Sequence, residues 1–382
     1  MKQILPNATI GIFGSGQLGR MFAIEARKMG YRVHTFSPDT DTPTGQVADI
    51  ETTADYLDTD EVKKFARTVD VITFEFENIP SETIQIASQF APVHPKGEVL
   101  HITQNRLREK NFLRENGFPH VKYSHIRTID DLRSSVQEIG FPCVLKTAGF
   151  GYDGKGQTKI TSEMEIETAF SNLHGQDGIL EAFINFKKEV SVVCARDING
   201  NFVHYGVIEN THTNHILDTS FAPADVSEKI YLEAVEITHA IAQTFDYVGT
   251  LCVEFFLTED ENLIVNEIAP RPHNSGHLTF DVCIASQFEQ QLRAVCGLPL
   301  ASTHLHSPCA MANLLGYLWE DGEPNWINAL SHPNIKLHLY GKSEPRPRRK
   351  MGHLTATAKD AQTALNTVKN ARRNLINTEL NS

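Results

Sequence analysis

The chain has 382 residues, which is too long for one ordinary domain and suggests two or three. Apolar residues make up 41% and charged residues 21% of the composition, as in water-soluble globular proteins. The 47 acidic residues outnumber the 35 basic ones, and the net charge of −12 argues against nucleic acid or anionic membranes as main partners.

The N-terminal segment and the cysteines both indicate the cellular compartment of the protein. The segment "MKQILPNATIGIFG" has one lysine and a short apolar run but no signal-peptide cleavage site. No stretch approaches the ~18 uninterrupted apolar residues that a membrane span needs. The six cysteines form no C-x-x-C pair, so we expect reduced thiols and no zinc site. The sequence therefore predicts a cytoplasmic protein.

Strands and helices alternate over the first hundred residues. The pattern predicts strands at 8–14, 31–37 and 70–77, and helices at 17–30, 59–69 and 79–90. Such alternation is typical of βαβ units and a parallel sheet. Turn residues then precede a helix predicted at 99–117. We place the boundaries of the N-terminal domain at 1–104.

The middle of the chain has an α+β pattern. It predicts helices at 163–174 and 226–245, and strands at 141–147, 156–160, 178–184, 187–197, 202–210, 249–258 and 262–270. We expect a second domain at 105–304. The remainder, 305–382, predicts a small β-rich domain that ends in a helix.

Gly14, Gly16 and Gly19 form a G-x-G-x-x-G motif between the first predicted strand and helix. Glycines at this spacing let a backbone turn approach a phosphate at a helix N-terminus. Asp39 lies where an acid that binds a ribose is expected. By itself the motif favours a Rossmann dinucleotide site, and the alternative is that the glycines serve only the turn.

A second glycine-rich segment, "GFGYDGKG" at 149–156, follows Lys146 at the end of a predicted strand. Its glycines would let backbone N–H groups approach an anion without obstruction by Cβ atoms. No G-K-[ST] sequence opens a helix here, so the segment is not a P-loop of the Walker type. From the residues alone, a phosphate-binding loop and a flexible hairpin both stay open.

Glu254 and Glu267 lie on neighbouring predicted strands, and each interrupts an apolar run. An unpaired buried carboxylate is costly, so two such residues indicate a ligand. Together with the amide oxygen of Asn266 they form a set of hard oxygen donors that suits Mg²⁺. The alternative is two separately solvated acids.

Two polar clusters follow along the chain. The segment "APRPHNSGH" at 269–277 offers a guanidinium at Arg271 for an anion and an imidazole at His273 for proton handling, unless it is only a surface turn. The second cluster is basic and consists of Lys342, Arg346, Arg348, Arg349 and Lys350. It indicates either a phosphate clamp or a solvated charged run.

In this order the motifs resemble the ATP-grasp superfamily and, within it, the N5-carboxyaminoimidazole ribonucleotide synthases of purine biosynthesis. The resemblance covers nearly the whole chain: "GSGQLGRM", "TFEFENIP", "FGYDGKGQ", "NEIAPRPHNSGH" and "YGK…RRKMGH". It implies an α/β and α+β architecture, namely an ATP-grasp fold with an N-terminal Rossmann-like parallel-sheet domain and a small C-terminal β-rich domain. It also implies a homodimer.

The resemblance implies a reaction as well. Such an enzyme would use ATP and Mg²⁺ to carboxylate aminoimidazole ribonucleotide with bicarbonate through carboxyphosphate. The alternative is the sister ATP-grasp enzyme, a formate-dependent glycinamide ribonucleotide formyltransferase, whose pattern is expected to read PRPHDTG where this chain has Asn274 and Ser275. A biotin carboxylase is less favoured, because the chain is short for that enzyme. A nucleotide-binding regulator without turnover is also less favoured, because the chain has Lys146 and Glu254.

The resemblance assigns site residues in four groups. ATP would contact Arg106, Lys146, Gly151, Tyr152, Asp153, Gly154, Lys155, Gly156, Gln157, Glu181, Ala182, Phe183, Ile184, Glu189, His212, Asn266 and Glu267. The ribonucleotide would contact Gly16, Gln17, Leu18, Glu75, Asn274, Ser275, Lys342 and Arg349. Mg²⁺ would be held by Glu254 and Glu267. Catalytic roles would fall to Arg271, His273, Tyr152, Asp153 and Lys155.

Overall fold

The computed structural model describes residues 3–149 and 156–376. Its N-terminal part is a parallel sheet with the strand order β3-β2-β1-β4. The strands are β1 (Thr9–Phe13), β2 (Arg32–Ser37), β3 (Ile50–Thr53) and β4 (Val71–Phe74), and the helices are α1 (Gln17–Lys28), α2 (Thr59–Ala66) and α3 (Ser81–Ala87). The predicted parallel sheet is confirmed. Strand β3 was not predicted, because its half-exposed sequence IETT lacks an apolar run.

The helix predicted at 99–117 is wrong, because two helices occupy this segment. They are α4 (Gly97–Thr103) and α5 (Arg106–Glu115). Asn105 breaks the run: it has extended backbone angles and its side chain accepts from the backbone N–H of Arg108, as an N-cap does. The break makes Arg106 the first residue of α5, where its backbone N–H donates to the carbonyl of Ala148 at 2.7 Å.

A small antiparallel sheet follows, with the order β5-β8-β6-β7. Its strands are β5 (Tyr123–Ile126), β6 (Cys143–Thr147), β7 (Gln157–Ile160) and β8 (Gly178–Ala182), with helices α6 (Ile129–Ile139) and α7 (Ile166–Ser171). The predicted pairing of the strands around the glycine segment is confirmed, with Lys146 opposite Gln157. The middle of the segment, residues 150–155, lies outside the described residues.

The largest sheet has the order β13-β12-β9-β10-β11-β14-β16-β15. Its strands are β9 (Phe186–Arg196), β10 (Phe202–Thr213), β11 (Ile216–Ala222), β12 (Gly249–Thr258), β13 (Leu263–Ala269), β14 (Cys309–Leu315), β15 (Ile335–Leu339) and β16 (Lys350–Thr357). The helices are α8 (Glu228–Thr244), α9 (Thr279–Val282), α10 (Gln287–Val295), α11 (Trp326–Leu330) and α12 (Ala361–Arg373). Because β11 pairs with β14, the C-terminal strands continue this sheet.

Helix α10 joins the largest sheet to the N-terminal one. Its Phe288 and Leu292 are buried in the same apolar cluster as Ile10 and Ile12 of β1. Gln291 adds a polar link, since its Nε2 donates to Oγ1 of Thr73 on β4 at 2.8 Å and its Oε1 accepts from a backbone N–H of β12. This packing fixes the loop after β1 opposite the ends of β12 and β13. Among the described residues, no helix combines the length and apolarity needed to cross a bilayer.

Candidate active site

A cavity of about 1060 Å³ lies where the three sheets meet. Many of the residues predicted from sequence line it, and they come from all three sheets. They are Gly16, Gln17, Leu18, Glu75, Arg106, Lys146, Gln157, Glu181, Glu189, His212, Glu254, Asn266, Glu267, Arg271, His273 and Asn274. The fold thus brings into one cavity side chains that lie far apart in sequence.

Other predicted residues lie outside the described residues or away from the cavity wall. Gly151, Tyr152, Asp153, Gly154 and Lys155 are outside the described residues. The structure does describe Gly156, Ala182, Phe183, Ile184, Ser275, Lys342 and Arg349, and none of these seven is part of the wall. Lys342 stays close, because its Nζ donates to Oε1 of the wall residue Gln17 at 2.5 Å. Arg349 instead donates to the carbonyl of Glu344 at 3.0 Å.

The G-x-G-x-x-G turn holds a carboxylate of this chain. Oε1 and Oε2 of Glu75 accept from the backbone N–H groups of Gly16 at 2.7 Å and of Gly19 at 3.2 Å. A Cβ atom at Gly16 would lie 2.7 Å from Glu75 Oε1, so glycine is needed for this approach. Burial raises the pKa of Glu75, against the effect of these two N–H donors. The helix N-terminus expected to bind a pyrophosphate is therefore occupied, and the Rossmann dinucleotide interpretation is wrong.

Two basic residues lie on the part of the wall formed by the small sheet. Lys146 on β6 points from the strand toward Glu181 on β8, and its Nζ is 2.5 Å from Glu181 Oε2. Burial of Glu181 acts to raise its pKa, but the charges of Lys146, Lys110 and Arg106 and the hydrogen bond from Lys146 together leave the pKa lowered. Arg106 lies beside this pair and donates from Nη1 to the carbonyl of Thr147 at 2.9 Å. The arrangement presents two cations next to the glycine segment.

Glu254 on β12 and Glu267 on β13 are direct partners in the strand pairing, as predicted. Burial and the charge of Glu254 raise the pKa of Glu267. Burial would also raise the pKa of Glu254, but His273 lowers it, because its Nε2 lies 3.1 Å from Glu254 Oε1. Two neighbouring carboxylates that repel each other, with Asn266 beside them on the wall, form an oxygen donor set that a divalent cation would stabilise. These residues therefore fit Mg²⁺.

The wall formed by β9 and β10 carries a second acid–imidazole pair. Nδ1 of His212 on β10 contacts Oε2 of Glu189 on β9. Burial would lower the pKa of His212, but Glu189 and Glu254 raise it. Close by, the rings of Phe186 and Phe256 stack with their centroids 4.5 Å apart, and both residues belong to the wall. This end of the cavity combines a flat apolar surface with polar groups, as sites for nucleotide bases do.

The sequence analysis missed several charged wall residues, among them Glu77, Glu109 and Lys110. Glu77 pairs with Arg271, with Nη2 and Oε1 2.5 Å apart. Lys110 is buried and its Nζ donates to the carbonyl of Asn266 at 2.6 Å. Burial raises the pKa of Glu109 to about 7, an effect that Lys110 opposes and Glu267 reinforces. Glu77 stands two residues after Glu75 in the quoted "TFEFENIP", and this position could have identified it as a site residue. Glu109 and Lys110 were missed because the sequence was interpreted as one long helix at 99–117.

Three family models match successive parts of the chain. The Ribonucleotide synthetase preATP-grasp domain matches residues 7–104, the ATP-grasp domain matches residues 111–288, and the Phosphoribosylaminoimidazole carboxylase C-terminal domain matches residues 309–367. The ATP-grasp fold predicted from the sequence is therefore confirmed, together with its N-terminal parallel-sheet part.

Similar proteins agree on one family. The N5-carboxyaminoimidazole ribonucleotide synthase of Bacillus subtilis is 46% identical over 358 residues, which are 93% of each chain. The Staphylococcus aureus N5-carboxyaminoimidazole synthetase complexed with ADP is 35% identical, with a TM-score of 0.92 over 97% of this chain and 99% of that one. The Aspergillus clavatus N5-carboxyaminoimidazole synthase in complex with ADP and 5-aminoimidazole ribonucleotide is 28% identical, with a TM-score of 0.89 over the same shares.

These findings favour the carboxylating ligase over the formyltransferase considered from sequence. The similarity spans all three sheets and the cavity between them, and at 46% identity it extends over nearly the full length of both proteins. The chain belongs to the N5-carboxyaminoimidazole ribonucleotide synthase family of ATP-grasp ligases.

Proposed function

We propose that the cavity converts ATP, bicarbonate and 5-aminoimidazole ribonucleotide to N5-carboxyaminoimidazole ribonucleotide, ADP and phosphate. The observation that carries this proposal is that one cavity holds two different polar regions, with His273 in contact with Glu254 and Arg271 in contact with Glu77. On one side are the Glu254–Glu267 pair and Lys146. On the other is the turn held by Glu75. Such an arrangement suits a reaction that joins groups from two bound substrates.

ATP is assigned to the side of the small sheet. Arg106, Lys146 and Gln157 would face its phosphates. The resemblance also assigns Tyr152, Asp153 and Lys155 to ATP, and these three residues lie outside the described residues. Segment 181–184 would contact adenine, and Glu189 with His212 would contact the ribose. Support comes from the two cations beside the glycine segment and from relatives that are complexed with ADP or ATP.

Mg²⁺ is assigned to Glu254 and Glu267, with Asn266 beside them. When bound, the ion would neutralise charge on the phosphates during transfer. The residues themselves supply the oxygen donors, and His273 orients one of them through its hydrogen bond to Glu254.

The ribonucleotide is assigned to the loop after β1. Gly16, Gln17, Leu18 and Glu75 would contact it, with Asn274 on the facing wall. Lys342 and Arg349 would bind its 5′-phosphate, because Lys342 reaches this loop through Gln17. A relative from Aspergillus clavatus is complexed with this ribonucleotide, which supports the choice of substrate.

The chemistry proceeds in two displacements. A bicarbonate oxygen attacks the γ-phosphorus of ATP, the bond to the bridging oxygen breaks, and ADP leaves. The amine nitrogen of the ribonucleotide then attacks the carboxyl carbon of carboxyphosphate, phosphate leaves, and the nitrogen loses a proton. Arg271 is placed to hold the bicarbonate and carboxyphosphate anions, since it is a buried cation on the wall. Closure over the site would exclude water from carboxyphosphate.

The function is tested by phosphate release from ATP with Mg²⁺ and bicarbonate, with and without 5-aminoimidazole ribonucleotide. We expect release that depends on the ribonucleotide and matches the formation of an acid-labile carbamate. Release that depends instead on glycinamide ribonucleotide and formate would contradict the proposal, as would release that neither acceptor stimulates.

Changing Glu75 to glutamine should weaken ribonucleotide binding. Glutamine keeps the shape but has one acceptor oxygen, so one of the two backbone N–H groups at Gly16 and Gly19 loses its partner. Glu75 is also assigned a contact with the ribonucleotide, and a hydrogen bond to a charged group contributes about 1.5–3 kcal/mol, so the KM for the ribonucleotide should rise by about 10- to 100-fold. The KM for ATP should stay constant in the same steady-state assay.

Glu82→Gln provides the matched control for this change, because it removes an acid from the first turn of α3. The control should leave both KM values unchanged. If Glu75→Gln raised both KM values equally, the turn would not belong to one substrate only.

A homodimer, a cytoplasmic location and the domain boundaries 1–104, 105–304 and 305–382 are also proposals. The first two are supported by the family resemblance, and the boundaries by the ranges of the three family models. Sedimentation equilibrium of the purified protein tests the dimer. A monomer at micromolar concentration would contradict it.

A further inference from the structure

A chain of buried polar side chains runs beneath the cavity and ends at His273. Ser220 on β11 donates to Oδ1 of Asn210 on β10 at 2.7 Å, and Nδ2 of Asn210 donates to Oγ of Ser191 on β9 at 2.9 Å. The hydroxyls of Ser191 and Ser275 lie 2.8 Å apart, and Ser275 Oγ lies 2.9 Å from Nδ1 of His273. The three serines are 0% exposed and Asn210 is 6% exposed. Four buried polar residues thus satisfy one another across three strands.

The two ends of this chain set the direction of its hydrogen bonds. Because the amide of Asn210 donates to Ser191, the hydroxyl proton of Ser191 is left to donate to Ser275. At the other end the backbone N–H of Ser275 donates to Nδ1 of His273 at 3.3 Å, so this nitrogen carries a lone pair. The hydroxyl of Ser275 therefore also donates to Nδ1, and the ring proton lies on Nε2. That nitrogen is the one 3.1 Å from Oε1 of Glu254.

We propose that Ser220, Asn210, Ser191 and Ser275 are positioning residues that hold His273 as its Nε2–H tautomer, so that it donates to Glu254 and orients this carboxylate in the cavity. The inference deepens the proposed function and rests on it in one respect, the role of Glu254 as an Mg²⁺ ligand. Hydrogen-bonded partners of a ligating carboxylate fix its orientation and affect metal affinity.

The inference gives two predicted residues different roles. Ser275, which the sequence assigned to the ribonucleotide, acts through His273 from a fully buried position away from the wall. His273, to which the sequence analysis assigned proton handling and a catalytic role, keeps its proton on the side of Glu254, and two donors occupy its other nitrogen.

Asn210→Asp should reverse the direction of this series of hydrogen bonds, and the new side chain keeps the shape of the old one. A carboxylate at this position only accepts, so Ser191 would turn its proton toward residue 210 and Ser275 would turn its proton toward Ser191. His273 Nδ1 would then have to donate to Ser275. Histidine labelled with ¹⁵N reports protonation at each ring nitrogen, and His273→Asn identifies the signals of this ring.

In the substrate-free wild-type protein we expect His273 to be protonated at Nε2 and unprotonated at Nδ1. In Asn210→Asp we expect Nδ1 to become protonated. Asn313→Asp is the control for a buried acid in the same sheet, since Asn313 is 0% exposed and pairs with Asn274 instead. It should leave the ring of His273 unchanged. Protonation of Nδ1 in the wild type, or an unchanged ring in a folded Asn210→Asp protein, would overturn the proposal.

Ser275→Ala keeps the test decisive if Asn210→Asp does not fold. It removes the hydroxyl donor and leaves only the longer backbone bond to Nδ1, so a fraction of His273 should shift to the Nδ1–H tautomer. Ser307→Ala is its control, because among the described residues the Ser307 hydroxyl bonds only to the backbone carbonyls of Pro308 and Ala358. A folded Ser275→Ala protein with an unchanged ring would overturn the proposal.

The effect of the His273 tautomer on Mg²⁺ binding by Glu254 is measured separately, as the Mg²⁺ concentration that gives half-maximal turnover. It should rise by about 10- to 100-fold in Ser275→Ala and stay constant in Ser307→Ala. A shifted tautomer with unchanged Mg²⁺ dependence would overturn the role toward Glu254. Failure of the proposed function would show differently, as a wild-type protein whose tautomer is as expected but which does not turn over.

Discussion

Replacing Glu267 by glutamine should lower kcat/KM for ATP by about 10³-fold or more, equivalent to about 4 kcal/mol of transition-state stabilisation. The reason is that Glu254 and Glu267 face each other on paired strands at the cavity wall, and both are proposed to hold one divalent ion. Steady-state phosphate release at saturating ribonucleotide and bicarbonate measures the loss. Added Mg²⁺ should restore only part of it.

The same substitution should stabilise the protein when no Mg²⁺ is present. Burial and the charge of Glu254 raise the pKa of Glu267, so the folded state disfavours its ionised form. An acid with a raised pKa contributes stability at low pH that is lost as the pH rises through that pKa. The free energy of unfolding of Glu267→Gln should therefore exceed that of the wild type by an amount that grows with pH, as denaturant unfolding would show.

Glu259→Gln is the matched control, because it removes one exposed acid from the turn between β12 and β13. It should change neither turnover nor the pH dependence of the free energy of unfolding. If Glu267→Gln kept the wild-type Mg²⁺ dependence, the ion would have to be held elsewhere, and the assignment of this carboxylate pair would be wrong.

The strand pairs that hold the candidate site residues were predictable, because they are local. The hairpin of Glu254 and Glu267 and the pairing of the two strands around the glycine segment both follow from apolar runs separated by turn residues. In both cases the two strands and the turn between them are close together in the sequence. The break between α4 and α5 was not predictable from the period alone, because an extended Asn105 interrupts an otherwise continuous helical pattern.

Contacts between distant residues limited the prediction of the site. The first glycine motif has the same local pattern whether it holds a nucleotide phosphate or a carboxylate of its own chain. Glu75, 59 residues beyond Gly16, decides the matter, and only the packing of β4 against β1 brings it there. The same limit applies to the pair of Glu77 and Arg271, because the sequence around either residue does not indicate that the other is its partner.

Replacing Arg271 by methionine should separate ATP consumption from carboxylation. Arg271 is a largely buried cation, with 17% of its side chain exposed, whose Nη2 contacts Glu77 and whose Nε has no partner among the described residues. A buried donor without a partner is costly and indicates a ligand, here the bicarbonate or carboxyphosphate anion. Without the guanidinium, carboxyphosphate should be lost to water. We expect carbamate formation to fall by about 10³-fold while ATP hydrolysis falls less.

Loss of the pair with Glu77 could by itself reduce activity, because it leaves a partly buried carboxylate without its cation. Removing one partner of a buried ion pair costs about 3–5 kcal/mol, and the 22% exposure of the Glu77 side chain reduces this to about 2–3 kcal/mol. The double variant Glu77→Gln, Arg271→Met removes both charges, so it should recover most of the free energy of unfolding. It should not recover the ratio of carbamate formed to ATP consumed. Recovery of that ratio in the double variant would show that Arg271 serves only to neutralise Glu77, whereas stability without coupling places the guanidinium on the reacting anion.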